Sequence, residues 1–119
     1  VDDNKVNLRV AVTQLRQLGV MAEVFSSGGA IIKALERERK YDMIFMDHMM
    51  PEMDGHEATQ RIRALKRPDT QTVRIVAMTA QTSEDSIHKC LDAGMDGHIA
   101  KPINEEKILS ALHKNIETE

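Results

Sequence analysis

The chain has 119 residues and a mass of 13.4 kDa, a size typical of one compact domain, which we expect to span residues 1–119. Hydrophobic residues make up 41% and charged residues 29%, which excludes intrinsic disorder. The sequence has no apolar run of about 20 residues, and no basic start followed by an apolar stretch suggests a signal peptide. The formal net charge of −3 is scattered along the chain and the single cysteine is Cys90, so we expect a cytoplasmic protein without direct nucleic-acid binding, membrane contact or an internal disulfide.

Apolar periodicity predicts helices and strands in alternation along the chain. In the first half, the pattern predicts a helix over 5–18, a strand over 20–25, a helix over 30–39 and a strand over 43–46. In the second half, it predicts a helix over 56–66, a strand over 73–78, a helix over 83–94, a strand over 98–100 and a last helix capped by Asn104. Gly19 and Gly94 are expected to end two helices, because glycine tolerates the left-handed turn common there.

This alternation predicts an α/β domain with a mainly parallel sheet that is built by right-handed crossovers. The run 43–46 is continuously apolar, as expected of a parallel strand that helices cover on both faces. At the start, Val1 is followed at once by Asp2 and Asp3, so an opening strand would lie mostly upstream of Val1. We therefore expect residues before Val1, and a swapped homodimer or a destabilised domain if the chain begins there.

Five polar side chains are expected where the predicted strands end, and they are Asp2, Asp3, Asp47, Thr79 and Lys101. In open α/β sheets, ligands bind beyond the carboxyl ends of the strands. Carboxylates at one site repel one another unless a cation neutralises them, and Mg²⁺ typically binds one or two carboxylates and several waters. The set predicts a magnesium site where a carboxylate attacks phosphorus while the hydroxyl and the ammonium stabilise the phosphoryl oxygens.

With these residues, the sequence resembles the receiver domains of two-component response regulators over nearly its whole length. The motifs that carry the resemblance are Asp2-Asp3-Asn4, Met46-Asp47 with Met49, Met50-Pro51 and Met53-Asp54-Gly55, Met78-Thr79-Ala80, and Lys101-Pro102. The sequence is most similar to receivers of hybrid histidine kinases, and this similarity lies at Val6-Asn7, Glu57-Ala58-Thr59 and Ala93-Gly94-Met95-Asp96. The resemblance implies a flavodoxin-like, doubly wound parallel sheet of five strands in the order 2-1-3-4-5, with most of the first strand missing from this sequence.

The resemblance also implies a role for each site residue. Asp47 is the implied phosphoacceptor, and Asp3 and Asp47 are implied direct ligands of Mg²⁺, for which Mn²⁺ is a substitute. Asp2 is implied to act through water, and the Met49 carbonyl is implied to supply another ligand. The remaining implications are that Thr79 and Lys101 hold the phosphoryl oxygens and that the bond between Lys101 and Pro102 is cis.

The implied function is a signalling switch in a two-component phosphorelay, not an enzyme for an external substrate. The phosphoryl donor is implied to be a phosphohistidine on a histidine kinase or a histidine phosphotransfer domain. The domain is implied to catalyse its own aspartyl phosphorylation and dephosphorylation. Phosphorylation would then change a surface that binds a downstream protein.

Histidine and methionine residues near the predicted site have simpler interpretations. No histidine pair has the helical spacing of zinc ligands, so we expect His48, His56, His88, His98 and His113 to be surface or partly packed residues. The methionines of the loop after Asp47 are expected to pack, because Mg²⁺ prefers oxygen. His98 stands where the family often has Tyr or Phe, and we hypothesise that output coupling is altered or pH-sensitive.

Three other classes of protein are weighed against this interpretation. A metal-dependent phosphohydrolase usually has a second Asp two residues after the nucleophile, and here that residue is Met49. A flavodoxin-type cofactor binder would present hydroxyls and amides in its first loop, where this chain has Asp2 and Asp3. An interaction module that works without phosphorylation would not need the acidic residues together with Lys101.

Overall fold

The computed structural model of the chain describes residues 1–37, 40–50, 52–65, 67–80, 83–101 and 103–112, and the backbone of 113–117. Six helices lie within these ranges: α1 (Lys5–Gln17), α2 (Gly28–Glu36), α3 (Gly55–Arg63), α4 (Pro68–Thr72), α5 (Glu84–Asp92) and α6 (Glu105–Glu117). Three strands alternate with them: β1 (Met43–Asp47), β2 (Arg74–Thr79) and β3 (Gly97–Ala100). None of these helices is long and apolar enough to cross a bilayer.

The three strands form a parallel sheet in the order β1-β2-β3, as the alternation of elements predicts. Alternate residues of β2 pack on opposite faces, since Ile75 and Ala77 belong to one core cluster and Val76 and Met78 to another. The first cluster includes side chains of α2, α3 and α5, and the second includes Ala111 of α6. Burial on both faces accounts for the continuous apolar runs of the strands.

The caps of the helices follow from short polar side chains. Asn4 Oδ1 accepts hydrogen bonds from the backbone N–H groups of Val6 and Asn7, which begins α1. Asn104 Oδ1 accepts one from Lys107 N at 2.8 Å, which confirms the predicted cap of the last helix. The predicted helix ends are also confirmed, because Gly19 and Gly94 adopt positive φ values of 79° and 105°.

The predicted strand over 20–25 is wrong for the described structure, which has no strand there. Only its Phe25 end pairs with the start of the chain, where Asp2 N donates to Phe25 O at 3.1 Å. The start of the chain also pairs with β1, on the side away from Phe25. Val1 N donates to Phe45 O at 2.6 Å and Asp47 N donates to Val1 O at 2.8 Å, as between parallel strands. A segment without partners along its length has nothing to hold it as a strand.

A cavity of about 1020 Å³ occupies the space between residues 20–25 and β1. Apolar side chains of α1, the 20–25 segment, β1 and α6 line it, among them Leu15, Val20, Ile44 and Ile108. The hydrogen bonds of Val1 and Asp2 place the start of the chain between Phe25 and β1. The strands β1, β2 and β3 therefore match strands 3, 4 and 5 of the expected order. The cavity lies between residues 20–25 and β1, where that order places strand 1.

Candidate active site

Three carboxylates lie together at the carboxyl end of the sheet. Those of Asp2, Asp3 and Asp47 each place an oxygen within 4.8 Å of the others. Asp47 is the last residue of β1, and Asp2 is held by its own backbone bond to Phe25 and by Asn4 N, which donates to Asp2 Oδ1 at 2.9 Å. Asp2 and Asp47 are buried and Asp3 is exposed, so the cluster opens to solvent on the Asp3 side.

Lys101 supplies a positive charge to this cluster from the residue after β3. Its Nζ donates to Asp47 Oδ1 at 2.9 Å and to Asp2 Oδ2 at 3.4 Å. The backbone helps to position it, because Lys101 N donates to Thr79 O at 2.8 Å. Burial lowers the pKa of Lys101, but its hydrogen bond to Asp47 and the two carboxylate charges outweigh burial and raise the pKa overall. Lys101 therefore stays an ammonium at neutral pH.

The pKa of Asp47 is raised above its usual value of 3.8. Burial is the largest cause, and it exceeds the opposing effect of the hydrogen bond from Lys101, while the charge of Asp2 raises the pKa further. Three carboxylates and one ammonium leave an excess of two negative charges when all are ionised. One divalent cation would balance that excess.

The donor atoms of the cluster fit Mg²⁺. All three side chains offer hard carboxylate oxygens, and the exposed position of Asp3 leaves room for the several waters that Mg²⁺ usually keeps. The ion pairs described above place one positive side chain, Lys101, against the buried carboxylates of Asp2 and Asp47. A bound cation would compensate the remaining negative charge. Asp2, Asp3 and Asp47 are thus brought together as the sequence predicts, and their chemistry suits this metal.

Thr79 lies at the end of β2, beside the acidic cluster, and has a side-chain partner that no sequence pattern predicts. Its Oγ1 lies 3.3 Å from Nδ1 of His48, a residue we expected only at the surface or partly packed. The backbone fixes His48 there, because His48 N donates to Met78 O at 3.0 Å. The one feature of the sequence that points to this position is that His48 directly follows Asp47, the last residue of β1.

The remaining predicted residues differ in what the structure shows. The Met49 side chain is 65% exposed, so it does not pack as the loop methionines were expected to, whereas Met50 is buried. The role of the Met49 carbonyl as a metal ligand stays a prediction. His98 is exposed on β3. The expected cis bond before Pro102 lies outside the described residues, as do Pro51 and the side chain of His113.

Gly55 begins α3 directly against β1. A Cβ atom at this position would overlap the carbonyl oxygen of Asp47 and would also crowd the side chains of Met46 and Met95. Gly55 N donates to His48 O at 3.0 Å, which holds the start of α3 against the loop after β1. The absence of a side chain here thus allows the helix to support the backbone of Asp47.

Comparison with known proteins defines the class to which this fold and site belong. The sequence model of the response regulator receiver domain matches residues 1–113. The chain therefore belongs to the response regulator receiver domain family. The function of this family is phosphorelay signalling by Mg²⁺-dependent phosphoryl transfer, and its members interact with phosphotransfer partners.

Particular relatives include histidine kinases of plants. The chain is 37% identical to probable histidine kinase 4 of Oryza sativa subsp. japonica over 96% of its length, and 36% identical to histidine kinase 2 of Arabidopsis thaliana over 98%. It spans only 13% and 12% of the lengths of these two proteins.

A solved structure with a similar fold is the receiver domain of the sensor histidine kinase PA1611 of Pseudomonas aeruginosa. It is 35% identical to this chain, with a TM-score of 0.86, and the match covers 98% of this chain and 93% of that one. That crystal structure has a magnesium ion coordinated in its active-site cleft.

Proposed function

We propose that Asp47 is the phosphoacceptor of this receiver domain. The observation that carries the proposal is the buried Asp47 carboxylate, which accepts a hydrogen bond from Lys101 Nζ at 2.9 Å beside the carboxylates of Asp2 and Asp3. The donor is a phosphohistidine on a histidine kinase or a histidine phosphotransfer domain. The histidine kinases among the relatives support this class of donor, as does membership of the family.

In the proposed reaction, a carboxylate oxygen of Asp47 attacks the phosphorus and the bond between phosphorus and the imidazole nitrogen breaks. The electron pair of that bond stays on the imidazole, which takes a proton from solvent, and Asp47 becomes an acyl phosphate. The hydrogen bond from Lys101 favours the ionised carboxylate that burial disfavours. Lys101 thereby favours the ionised form of Asp47 that acts as the nucleophile.

Lys101 and Thr79 are the side chains that we propose hold the transferred phosphoryl group. Lys101 extends from the end of β3 to Asp47, and its ammonium can follow the negative charge onto the phosphoryl oxygens. Thr79 lies at the end of the neighbouring strand, where its hydroxyl can donate a hydrogen bond to one of those oxygens. Both groups stabilise charge that the transfer places at this edge of the sheet.

Asp3, Asp47 and the Met49 carbonyl are the proposed direct ligands of Mg²⁺, and Asp2 is proposed to act through water. When bound, the metal supplies positive charge against the carboxylates and the phosphoryl oxygens, and Mn²⁺ could supply the same charge with the same oxygen ligands. The hydrogen bond from Asn4 N holds the Asp2 carboxylate in place for this role. Asp3, being exposed, faces the solvent from which the ion enters.

The proposed output is a change in the surface around Thr79. Capture of a phosphoryl oxygen by Thr79 would exchange its present contact with His48 Nδ1 for one with the new charge. This exchange would shift an equilibrium between two arrangements of the loops at this edge of the sheet, and so alter binding of a downstream protein. We place this switch in the cytoplasm and propose that it catalyses both formation and hydrolysis of its acyl phosphate.

The proposal is tested by incubating the chain with Mg²⁺ and acetyl phosphate and measuring its intact mass. We expect the mass of one phosphoryl group to be added, to disappear when Mg²⁺ is chelated beforehand, and to be absent from Asp47→Asn. The variant Asp92→Asn, altered at an exposed carboxylate at the end of α5, is the matched control and should be phosphorylated normally. A folded chain that binds Mg²⁺ but gains no mass would indicate an interaction module that works without phosphorylation.

A further inference from the structure

A second cluster of metal-ligating side chains lies next to the acidic site. It consists of His48 after β1, His56 in the first turn of α3 and Cys90 in α5, and one ligand atom of each lies within 4.8 Å of the others. His56 Nε2 lies 3.3 Å from Cys90 Sγ, and the rings of His48 and His56 have centroids 4.5 Å apart. Three separate segments of the chain thus converge on one point.

The donor set of this cluster differs from that of the acidic site. Two imidazoles and one thiol are borderline and soft ligands, which suit Zn²⁺ and related transition metals, whereas Mg²⁺ prefers oxygen. At usual bond lengths, a nitrogen and a sulfur bound to one tetrahedral zinc ion lie about 3.5 Å apart. The observed 3.3 Å between His56 Nε2 and Cys90 Sγ is close to that separation.

We propose that His48, His56 and Cys90 bind a zinc ion, with water in the fourth position. Three protein ligands and an open position are a known arrangement for zinc. Binding would transfer the thiol proton of Cys90 to solvent and form a zinc–thiolate bond in its place. Each of the two imidazoles would bind the ion through the lone pair of one ring nitrogen.

The surroundings of the cluster support metal binding over a reactive cysteine. Cys90 is 2% exposed, and burial raises the pKa of its thiol, so without a metal this sulfur is a protonated and poor nucleophile. His48 and His56 are half-buried, so part of each imidazole reaches solvent. The two partly exposed imidazoles therefore offer an ion access to the cluster, while the Cys90 sulfur is buried.

The cluster also contacts the proposed phosphorylation machinery. His48 Nδ1 lies 3.3 Å from Thr79 Oγ1, so one proposed zinc ligand touches the hydroxyl that ends β2. Zinc would join the loop after β1 to α3 and α5 through its three ligands. The zinc site does not depend on the identity of the phosphoacceptor, because none of its ligands belongs to the acidic cluster.

Cobalt provides a direct spectroscopic test, because Co²⁺ often replaces Zn²⁺ and a cobalt–thiolate bond absorbs in the near ultraviolet. The chain is titrated with Co²⁺ in the presence of excess Mg²⁺, which occupies the acidic site. Cys90 is the single cysteine of the chain, so a thiolate charge-transfer band reports on this residue alone. We expect one equivalent of Co²⁺ to produce the band and one equivalent of Zn²⁺ to abolish it.

Variants separate a metal site from a simple packing contact. Cys90→Ser should lose the band, and His48→Asn and His56→Asn should each weaken Co²⁺ binding at least about tenfold. The control His88→Asn removes an exposed histidine of the same helix as Cys90 and should bind normally. Circular dichroism of each variant checks that it is folded.

Two outcomes would overturn the zinc proposal. One is a folded chain that shows no thiolate band at any Co²⁺ concentration, and the other is a band that keeps its full affinity in His56→Asn. In either case the cluster is a hydrogen-bonded contact between α3 and α5. The acetyl phosphate assay is independent of this result, so failure of the zinc site and failure of the proposed phosphoacceptor are distinguishable.

Discussion

Lys101 Nζ lies 2.9 Å from Asp47 Oδ1, and this contact joins the end of β3 to the end of β1 across the intervening strand. The two residues are 54 positions apart in sequence, and only the parallel order of the sheet brings them together. Because the Asp47 carboxylate is buried, its charge depends on this neighbour. The contact therefore couples the ionisation of the proposed nucleophile to the group proposed to receive the phosphoryl charge.

Removal of the ammonium should slow phosphorylation strongly. In Lys101→Met, the pKa of Asp47 should rise further and the transferred phosphoryl group should lose a positive partner, so we expect a rate about 10²-fold lower with acetyl phosphate. The rate is measured as acyl phosphate formed over time at saturating Mg²⁺. Lys89→Met, at an exposed position of α5, should keep the original rate. A Lys101→Met rate equal to that of the unaltered chain would exclude Lys101 from the reaction.

The ionised Asp47 carboxylate should reduce the stability of the metal-free fold. The pKa of Asp47 in the folded chain is raised above 3.8, its value in the unfolded chain. At pH values between the unfolded-state pKa and the folded-state pKa, the folded state therefore binds more protons than the unfolded state. Stability therefore falls as pH rises through this window and stays reduced at higher pH. In chelator at pH 7, Asp47→Asn should unfold about 2–8 °C higher than the unaltered chain.

The same experiment at lower pH tests the direction of this stability difference. As pH falls through the raised pKa of Asp47, the unaltered chain becomes neutral at this residue and the advantage of Asp47→Asn should shrink. Thermal denaturation monitored by circular dichroism measures both values. An Asp47→Asn chain that is less stable than the unaltered chain at pH 7 would show that Lys101 more than compensates for burial.

Mg²⁺ binding should depend on the exposed carboxylate as well as the buried ones. Asp3→Asn removes one of the three converging charges without changing a buried position, and we expect a Mg²⁺ affinity about tenfold lower. The stabilisation of the fold by a fixed concentration of Mg²⁺ should fall accordingly. Asp92→Asn should leave both unchanged. Identical Mg²⁺ titrations for Asp3→Asn and the unaltered chain would remove Asp3 from the ligand set.

Gly55 offers a test of how the backbone of β1 is supported. A methyl group at Gly55→Ala would overlap the carbonyl oxygen of Asp47, so we expect a loss of about 1–3 kcal/mol in the free energy of unfolding and slower phosphorylation. Gly97→Ala is the matched control, because a Cβ atom there meets no atom within 4 Å. Urea denaturation compares the two variants. Equal stability of both would show that the loop moves aside without cost.

Part of the fold is predictable from local patterns, and part depends on pairing between distant segments. β1 and β2 are predictable because both of their faces are buried, which leaves continuous apolar runs in the sequence. Residues 20–25 have similar apolar content, but a strand needs backbone partners, and the described chain supplies one only near Phe25. The short helix α4 was missed because it has five residues, begins at Pro68 and carries no apolar stripe.

The acidic site and the cluster of His48, His56 and Cys90 also differ in how far the sequence predicts them. Asp47 and Lys101 could be predicted to meet because parallel strands end at the same edge of a sheet, wherever they fall in the sequence. His56 and Cys90 belong to two helices, and their contact depends on how those helices pack on the sheet. No spacing in the sequence encodes that packing, so the histidines could only be interpreted one by one.

The measurement that tests the central claim most directly is to locate the phosphorylated residue. The chain is treated with Mg²⁺ and acetyl phosphate and then with borohydride, which reduces an acyl phosphate to an alcohol and so converts a phosphorylated Asp to homoserine. Tandem mass spectrometry of the digested chain should find homoserine at residue 47 alone, and only in the sample that received acetyl phosphate. Homoserine at Asp2, Asp3 or another carboxylate, with residue 47 unchanged, would contradict the assignment of Asp47 as the phosphoacceptor.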